Sequence, residues 1–279
     1  MMSSTREAAP GPSRIGVFDS GVGGLTVLAA LRLQLPGSTL LYAADSAYAP
    51  YGERDAAYVQ ERSLELTRFL LAQGAQAIVV ACNTATALAI AELRRIWPQV
   101  PFIGIEPAIK PALAMANGRP VGVLATPATL SSPRFQALLQ AHANRADVLV
   151  QPCPGLAEAI ETRGPDSVET VTLVRRFCAP LREAECATVV LGCTHYPLIA
   201  PALHDALDAP ARAVDLVDPA HAVAAQTARV LGTLPPTNRA PAHESTLQAW
   251  TNGNPVALER IAKACGLDDL GVYRMPDAR

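Results

Sequence analysis

The chain has few aromatic residues and almost no lysine, and its charges nearly balance. Aromatic residues make up 5% of the 279 positions, the only lysines are Lys110 and Lys263, and the formal net charge is −2. A near-neutral chain without a basic run lacks the electrostatic footprint of a nucleic-acid-binding protein, so we expect no nucleic acid as a partner. The shortage of lysine leaves no clear site for a pyridoxal phosphate Schiff base.

Secretory and membrane signals are also missing. Residues 1–13 are polar and contain Ala-Ala-Pro-Gly-Pro, which predicts a disordered leader. The longest uncharged stretch, 69–91, contains Gln73, Gly74 and Asn83, so it is better interpreted as helix, turn and strand than as a membrane span. We therefore expect a cytoplasmic protein with no membrane contact, whose six cysteines are reduced thiols.

Two cysteines occupy matching positions in the two halves of the chain. Cys82 and Cys193 each end an apolar strand-like run, and they lie 111 positions apart. Two other apolar runs recur in the same order, 15–18 again at 121–124 and 40–42 again at 148–150. These offsets predict two halves of similar topology, whose packing face to face would bring the two cysteines into one pocket.

Strand and helix signals alternate along most of the chain, which predicts parallel sheets with helices on both faces and ligands at the carboxyl ends of the strands. The predicted strands are 14–18, 39–43, 77–81, 102–105, 120–125, 147–150, 188–191 and 214–217, the last strong strand. The predicted helices are 25–35, 53–73, 84–97, 110–117, 132–143, 156–162, 167–183, 198–207, 219–231 and 254–265, with a loop at 232–244.

The paired cysteines favour proton transfer chemistry over simple burial. A lone cysteine is most often a small buried hydrophobe, but each of these precedes a predicted helix, whose N-terminus favours a thiolate. Two thiols could handle a proton on both faces of one carbon, as inversion of an amino acid without a cofactor requires. A zinc site is one alternative, but Cys193 and His195 would supply only two ligands and no second cluster completes the four. A redox disulfide between the two cysteines is another, but the short motif typical of dithiol enzymes is missing.

Other residues have both structural and functional interpretations. The loop at 19–24, Asp-Ser-Gly-Val-Gly-Gly, is no dinucleotide fingerprint, but its amides could approach a carboxylate. Asp19 could cap a helix or bind an ammonium group. The Pro-Tyr-Gly segment ending at Gly52 is a turn or a pocket wall. His195 could activate Cys193 or bind substrate, whereas a solvated helix face is the favoured interpretation of Glu161.

Together these motifs resemble the glutamate racemases of the aspartate/glutamate racemase family. The resemblance rests on IGVFDSGVGGLT at 15–26, PYG at 50–52, ACNTA at 81–85, IEP at 105–107 and LGCTHYPL at 191–198. It implies conversion of L-glutamate to D-glutamate for peptidoglycan, with no metal or other cofactor. An acidic residue usually replaces His195 in aspartate racemases, so the histidine favours glutamate.

The resemblance also implies an architecture and a set of site residues. It implies two α/β domains, 14–108 and 109–217, related by a pseudo-twofold axis, with the active site in the cleft between them and 218–279 returning to the first. By resemblance the proton-transfer groups are Cys82 and Cys193, assisted by Asp19 and His195, with Glu161 auxiliary. The implied glutamate contacts are Asp19, Ser20, Tyr51, Gly52, Asn83, Thr84, Thr194 and His195.

Partners beyond the substrate follow from the family alone. A homodimer is expected, and because some glutamate racemases are reported to restrain DNA gyrase, a gyrase contact stays open. A two-lobed protein that only binds an amino acid is the alternative from a different class. Such a binder needs neither thiol, so circular dichroism of glutamate incubated with the protein would distinguish the two.

Overall fold

The computed structural model describes residues 13–142, 148–208, 213–232 and 246–276. The predicted leader, apart from Ser13, and nearly all of the predicted loop 232–244 lie outside these ranges. Two separate sheets organise the described residues, and every pair of neighbouring strands in them is parallel. This arrangement confirms the predicted α/β fold class.

The first sheet has six strands in the order β10-β9-β2-β1-β3-β4. Its strands are β1 (Arg14–Asp19), β2 (Thr39–Ala44), β3 (Ala77–Val80), β4 (Phe102–Gly104), β9 (Leu247–Thr251) and β10 (Gly271–Arg274). Every residue of β2 and β3 is buried, as expected for a parallel sheet covered on both faces. Ile15 and Val17 enter one core and Phe18 enters the other, because successive side chains of a strand alternate between faces.

The second sheet has four strands in the order β6-β5-β7-β8. Its strands are β5 (Val121–Ala125), β6 (Val148–Pro152), β7 (Thr188–Gly192) and β8 (Asp215–Val217). Strand β5 lies beside β7 here as β1 lies beside β3 in the first sheet. We call each sheet with its covering helices a lobe, the first lobe being the six-stranded one.

Several of the helices begin where the sequence supplies a capping side chain or a proline. They are α1 (Leu25–Gln34), α2 (Ala56–Ala72), α3 (Asn83–Ile96), α4 (Ile109–Ala116), α5 (Pro127–Ser131), α6 (Pro133–Gln140), α7 (Leu156–Thr162), α8 (Val168–Glu183), α9 (Ala200–Leu207), α10 (Ala220–Gly232) and α11 (Pro255–Ala264). Side chains of Asp55, Ser132 and Ser167 accept hydrogen bonds from the first turns of α2, α6 and α8. None of the described helices is long and apolar enough to cross a membrane.

The structure corrects the element prediction in three places. The prediction that 214–217 is the last strong strand was wrong, because β9 and β10 extend the first sheet and β9 pairs with β2. These two strands are only partly buried, so they lack a continuous apolar run. The helix predicted from residue 53 begins at Ala56, after a 3-10 turn at Tyr51–Glu53, and the short helix α5 was not predicted. The domain limits stay a prediction.

Candidate active site

Cys82 lies where β3 passes into α3. Its Sγ atom caps the helix by accepting a hydrogen bond from the Ala85 amide at 3.5 Å, and it lies 3.8 Å from the Ser20 hydroxyl. Burial, followed by the negative charge of Asp19, raises the pKa of this free thiol well above its ordinary value. The Ala85 amide at the helix N-terminus favours the thiolate, as expected, but burial outweighs this effect for Cys82.

Cys193 lies at the matching position after β7, in the second lobe. Its Sγ atom is 3.7 Å from Nδ1 of His195, and Nε2 of the same ring is 2.5 Å from Glu161 on α7. Burial alone would lower the pKa of His195, but the hydrogen bonds and charges of Cys193 and Glu161 raise it well above the ordinary value. The raised pKa favours the imidazolium form of His195, which lies between Cys193 and Glu161.

Glu161 is not on a solvated helix face, so that interpretation was wrong. Its side chain is 13% exposed, and it accepts hydrogen bonds from the Val22 amide at 3.1 Å and the Ser46 hydroxyl at 3.0 Å. Burial would raise the pKa of Glu161, but His195 and these two donors hold it below the ordinary value. Glu161 and His195 thus form a buried ion pair that also contacts the first lobe.

Asp19 ends β1 and is fully buried at the start of α1. Its Oδ2 atom accepts hydrogen bonds from the Gly24 amide at 2.8 Å and the Thr194 hydroxyl at 3.4 Å, whereas Oδ1 has no partner in the described structure. Burial raises the pKa of Asp19, although the positive charge of His195 and the Gly24 amide oppose the shift. The prediction that Asp19 is the N-cap of this helix is wrong, because the N-cap residue of α1 is Gly24 and no side chain caps the helix, whereas binding of an ammonium group stays a prediction.

Asn83 and Thr84 have different surroundings although they are neighbours. Neither the nitrogen nor the oxygen of the buried Asn83 amide has a hydrogen-bond partner among the described residues. An unpartnered buried amide is costly unless a polar ligand satisfies it. The Thr84 hydroxyl instead lies 3.0 Å from that of Thr126 and 3.2 Å from that of Thr129, both in the second lobe.

Tyr51 and Gly52 form part of the wall between the lobes. Tyr51 is fully buried and its hydroxyl donates to Asp45, which Arg62 binds at 2.7 and 2.9 Å. A Cβ atom on Gly52 would lie 2.7 Å from Thr126, so the backbone needs glycine here to approach the second lobe. The sequence analysis did not identify Asp45 as the hydrogen-bond partner of the Tyr51 hydroxyl.

Gly23 lets the loop after β1 approach His195 of the second lobe closely. A Cβ atom at this position would lie 2.6 Å from both Nδ1 of His195 and the Thr194 hydroxyl. A side chain at residue 23 would therefore separate the loop after β1 from the loop after β7. Together, these contacts bring the predicted residues of both halves to one boundary between the lobes.

The sequence analysis missed the residues that join the lobes, namely Ser46, Thr126 and Thr129. Thr126 follows β5 directly, and β5 is the counterpart of β1, so the repeat that relates 15–18 to 121–124 could have found it as the counterpart of Ser20. No group of three or more His, Cys, Asp or Glu suited to a metal ion occurs within the described ranges. Cys82 and Cys193 both carry free thiols.

Comparison with known proteins agrees with this geometry. A profile of the family described as Asp/Glu/Hydantoin racemase matches residues 25–227, nearly three quarters of the chain. The chain belongs to the Asp/Glu/hydantoin racemase family. It is accordingly an amino-acid racemase, and the resemblance predicted from the motifs is confirmed.

Individual members of the Asp/Glu/hydantoin racemase family match nearly end to end. The chain is 48% identical over 247 residues to the glutamate racemase of Pseudomonas aeruginosa strain PAO1, covering 88% of this chain and 91% of that one. Escherichia coli glutamate racemase, solved with L-glutamate and the activator UDP-MurNAc-ala, has a TM-score of 0.80 at 32% identity, covering 94% and 98% of the two chains. Francisella tularensis glutamate racemase, solved with D-glutamate, has a TM-score of 0.79 at 26% identity, covering 96% and 98%.

Proposed function

We propose that this racemase interconverts L- and D-glutamate, with Cys82 and Cys193 as the two proton-transfer groups. The observation that carries the proposal is the pair of buried free thiols at equivalent strand ends of the two lobes. Relatives solved with L-glutamate and with D-glutamate support the choice of substrate. One thiolate removes the α-proton while the opposite thiol delivers a proton to the other face.

The different surroundings of the two cysteines support a direction for each. Cys193 has Nδ1 of His195 beside its sulfur, and we assign Cys193 as the base that takes the proton from L-glutamate. The raised pKa of Cys82 keeps that thiol protonated at neutral pH, ready to deliver a proton in the same turnover. In the D-to-L direction Cys82 is the base, and its ionisation must then overcome burial and the negative charge of Asp19, both of which raise its pKa.

Buried polar atoms without partners suit the two ends of an amino acid. The free Oδ1 atom of Asp19 is an acceptor for the substrate ammonium group, and the Asn83 amide is a donor for a carboxylate. Ser20 and Thr194 add hydroxyls beside Cys82 and Asp19. Fixed donors in a buried site stabilise the carbanion-like transition state, so the mechanism requires no metal and no pyridoxal phosphate.

The cellular role is part of the same proposal. Supply of D-glutamate for peptidoglycan, a homodimeric state and a cytoplasmic location follow from the family resemblance. A gyrase contact has the same basis and stays a prediction.

Circular dichroism of purified protein with each glutamate enantiomer, in EDTA and without added cofactor, tests the proposal. We expect both enantiomers to reach the racemic mixture and turnover in D₂O to introduce deuterium at the α-carbon. Aspartate turnover equal to or greater than glutamate turnover would contradict the substrate assignment. Full activity of both Cys82→Ser and Cys193→Ser would contradict the two-thiol mechanism.

A further inference from the structure

Ser46 makes a hydrogen bond that crosses between the lobes. It begins the 3-10 turn Ser46–Tyr48 that follows β2, and its hydroxyl donates to Oε1 of Glu161 at 3.0 Å. Glu161 belongs to α7 of the second lobe, so the contact joins residues 115 positions apart. Neither the sequence motifs nor the proposed substrate contacts include Ser46.

Asn252 and Gly253, which follow β9, contact Ser46 and both of its neighbours in the chain. The side chain of Asn252 accepts a hydrogen bond from the Ala47 amide at 2.9 Å and donates one to Asp45 at 2.6 Å. A Cβ atom on Gly253 would lie 2.6 Å from the Cβ atom of Ser46. Both neighbours of Ser46 are thus tied to this segment, which fixes the direction of the hydroxyl.

The two oxygens of Glu161 divide between the lobes. Oε1 is bound by Ser46, whereas Oε2 is bound by the Val22 amide and by His195. Within its own lobe, the only hydrogen-bond donor to Glu161 in the described residues is therefore His195. The first lobe supplies the two other donors, and Ser46 is the one that a side-chain substitution can remove.

We propose that Ser46 is a positioning residue, whose hydroxyl fixes Glu161 against His195 and so makes the orientation of His195 depend on the approach of the two lobes. This inference rests on the proposed function, in which His195 assists Cys193. Ser46 acts through Glu161 and does not itself transfer a proton. In this proposal the segment around Asn252 and Gly253 holds Ser46 in position without itself contacting Glu161.

Three other titratable groups face the Glu161–His195 pair. They are Asp19, which interacts with both partners, Tyr42 beside Glu161 and Cys193 beside His195. Loss of the Ser46 hydrogen bond makes the carboxylate form of Glu161 less stable. A less stable carboxylate in turn stabilises the His195 imidazolium less. The pKa of His195 should therefore fall in a Ser46→Ala variant.

The test compares Ser46→Ala with Ser38→Ala. Ser38 precedes β2 at the opposite end of the strand, and its side chain makes no hydrogen bond to the residues that the structure describes, so its variant is the matched control. We expect Ser46→Ala to lower kcat/KM about tenfold, the effect of one lost hydrogen bond to a charged group. Gly253→Ala keeps the Ser46 hydroxyl but displaces it, because the added Cβ atom would overlap Ser46. This variant should therefore also lower kcat/KM.

A double-mutant cycle and a histidine titration separate positioning from general folding. In a Glu161→Gln background, Ser46→Ala should change kcat/KM by less than about twofold, because its partner is already altered. Nitrogen NMR should show a lower His195 pKa in Ser46→Ala and no change in Ser38→Ala. Additive losses, or an unchanged His195 pKa, would overturn the inference. If wild-type protein and Ser38→Ala also fail to racemise glutamate, the proposed function fails instead.

Discussion

Substitution of Gly23 by alanine should reduce racemisation without unfolding the protein. A Cβ atom at this position would lie 2.6 Å from Nδ1 of His195 and from the Thr194 hydroxyl, and 2.8 Å from the His195 amide nitrogen. Ordinary contacts begin at 3.4 Å, so the loops must separate by roughly 0.8 Å. Because the His195 amide belongs to the backbone, rotation of one side chain cannot relieve the overlap.

A displacement of this size at reacting groups costs about a hundredfold in rate, equivalent to about 2.7 kcal/mol of transition-state stabilisation. We therefore expect kcat for both enantiomers to fall about a hundredfold, because the loops of both lobes move apart together. Initial rates from circular dichroism measure the effect, and thermal unfolding verifies that the variant is folded.

Gly37→Ala is the matched control, since Gly37 belongs to the same lobe and nothing lies within 4 Å of the position that its Cβ would occupy. This variant should retain wild-type kcat. A Gly23→Ala enzyme within about threefold of wild type would refute the reasoning. Such a result would mean that the working enzyme does not require the close approach of Gly23 to His195.

Three further predictions concern the proposed proton-transfer groups. Cys82→Ser should raise the primary isotope effect mainly with α-deuterated D-glutamate, and Cys193→Ser mainly with L-glutamate; the reverse pattern would exchange the two roles. Asp19→Asn should lower kcat more than it raises KM, because it removes transition-state stabilisation, whereas a change in KM alone would indicate substrate binding only. Glu161→Gln removes the charge that raises the pKa of His195, so the imidazolium should lose its proton at lower pH in an NMR titration. An unchanged His195 pKa in that variant would contradict the ion pair.

The pH dependence of the buried ion pair follows from the two shifts. The pKa of His195 is raised, so its stabilising contribution is present below the ordinary histidine pKa and is lost as the pH rises through the raised value. The pKa of Glu161 is lowered, so its contribution is present above the ordinary glutamate pKa and is lost as the pH falls through the lowered value. The pair is therefore intact across neutral pH, between the two shifted values.

Most elements were predictable because their signals are local. Helix α7 has the predicted limits, and the buried strands β1, β3, β5 and β7 lie within about two residues of their predicted ends, since apolar runs bounded by polar residues mark strands. Strand β9 was missed because it completes the first sheet only through pairing with β2, a contact between residues about 200 positions apart. An edge region half exposed to solvent carries no strong pattern of its own.

Sequence alone determined the fold class, the pair of cysteines and the loop that begins at Asp19, because each is encoded by a contiguous run and by its repetition. Tertiary structure alone decided the surroundings that control their chemistry. Burial raises the pKa of Cys82 although it caps a helix, and Glu161 is buried against His195 only because Val22 and Ser46 of the other lobe meet it. Desolvation and charge pairing depend on what surrounds a group in space, and for Glu161 the donors from the first lobe are more than a hundred positions away in the chain.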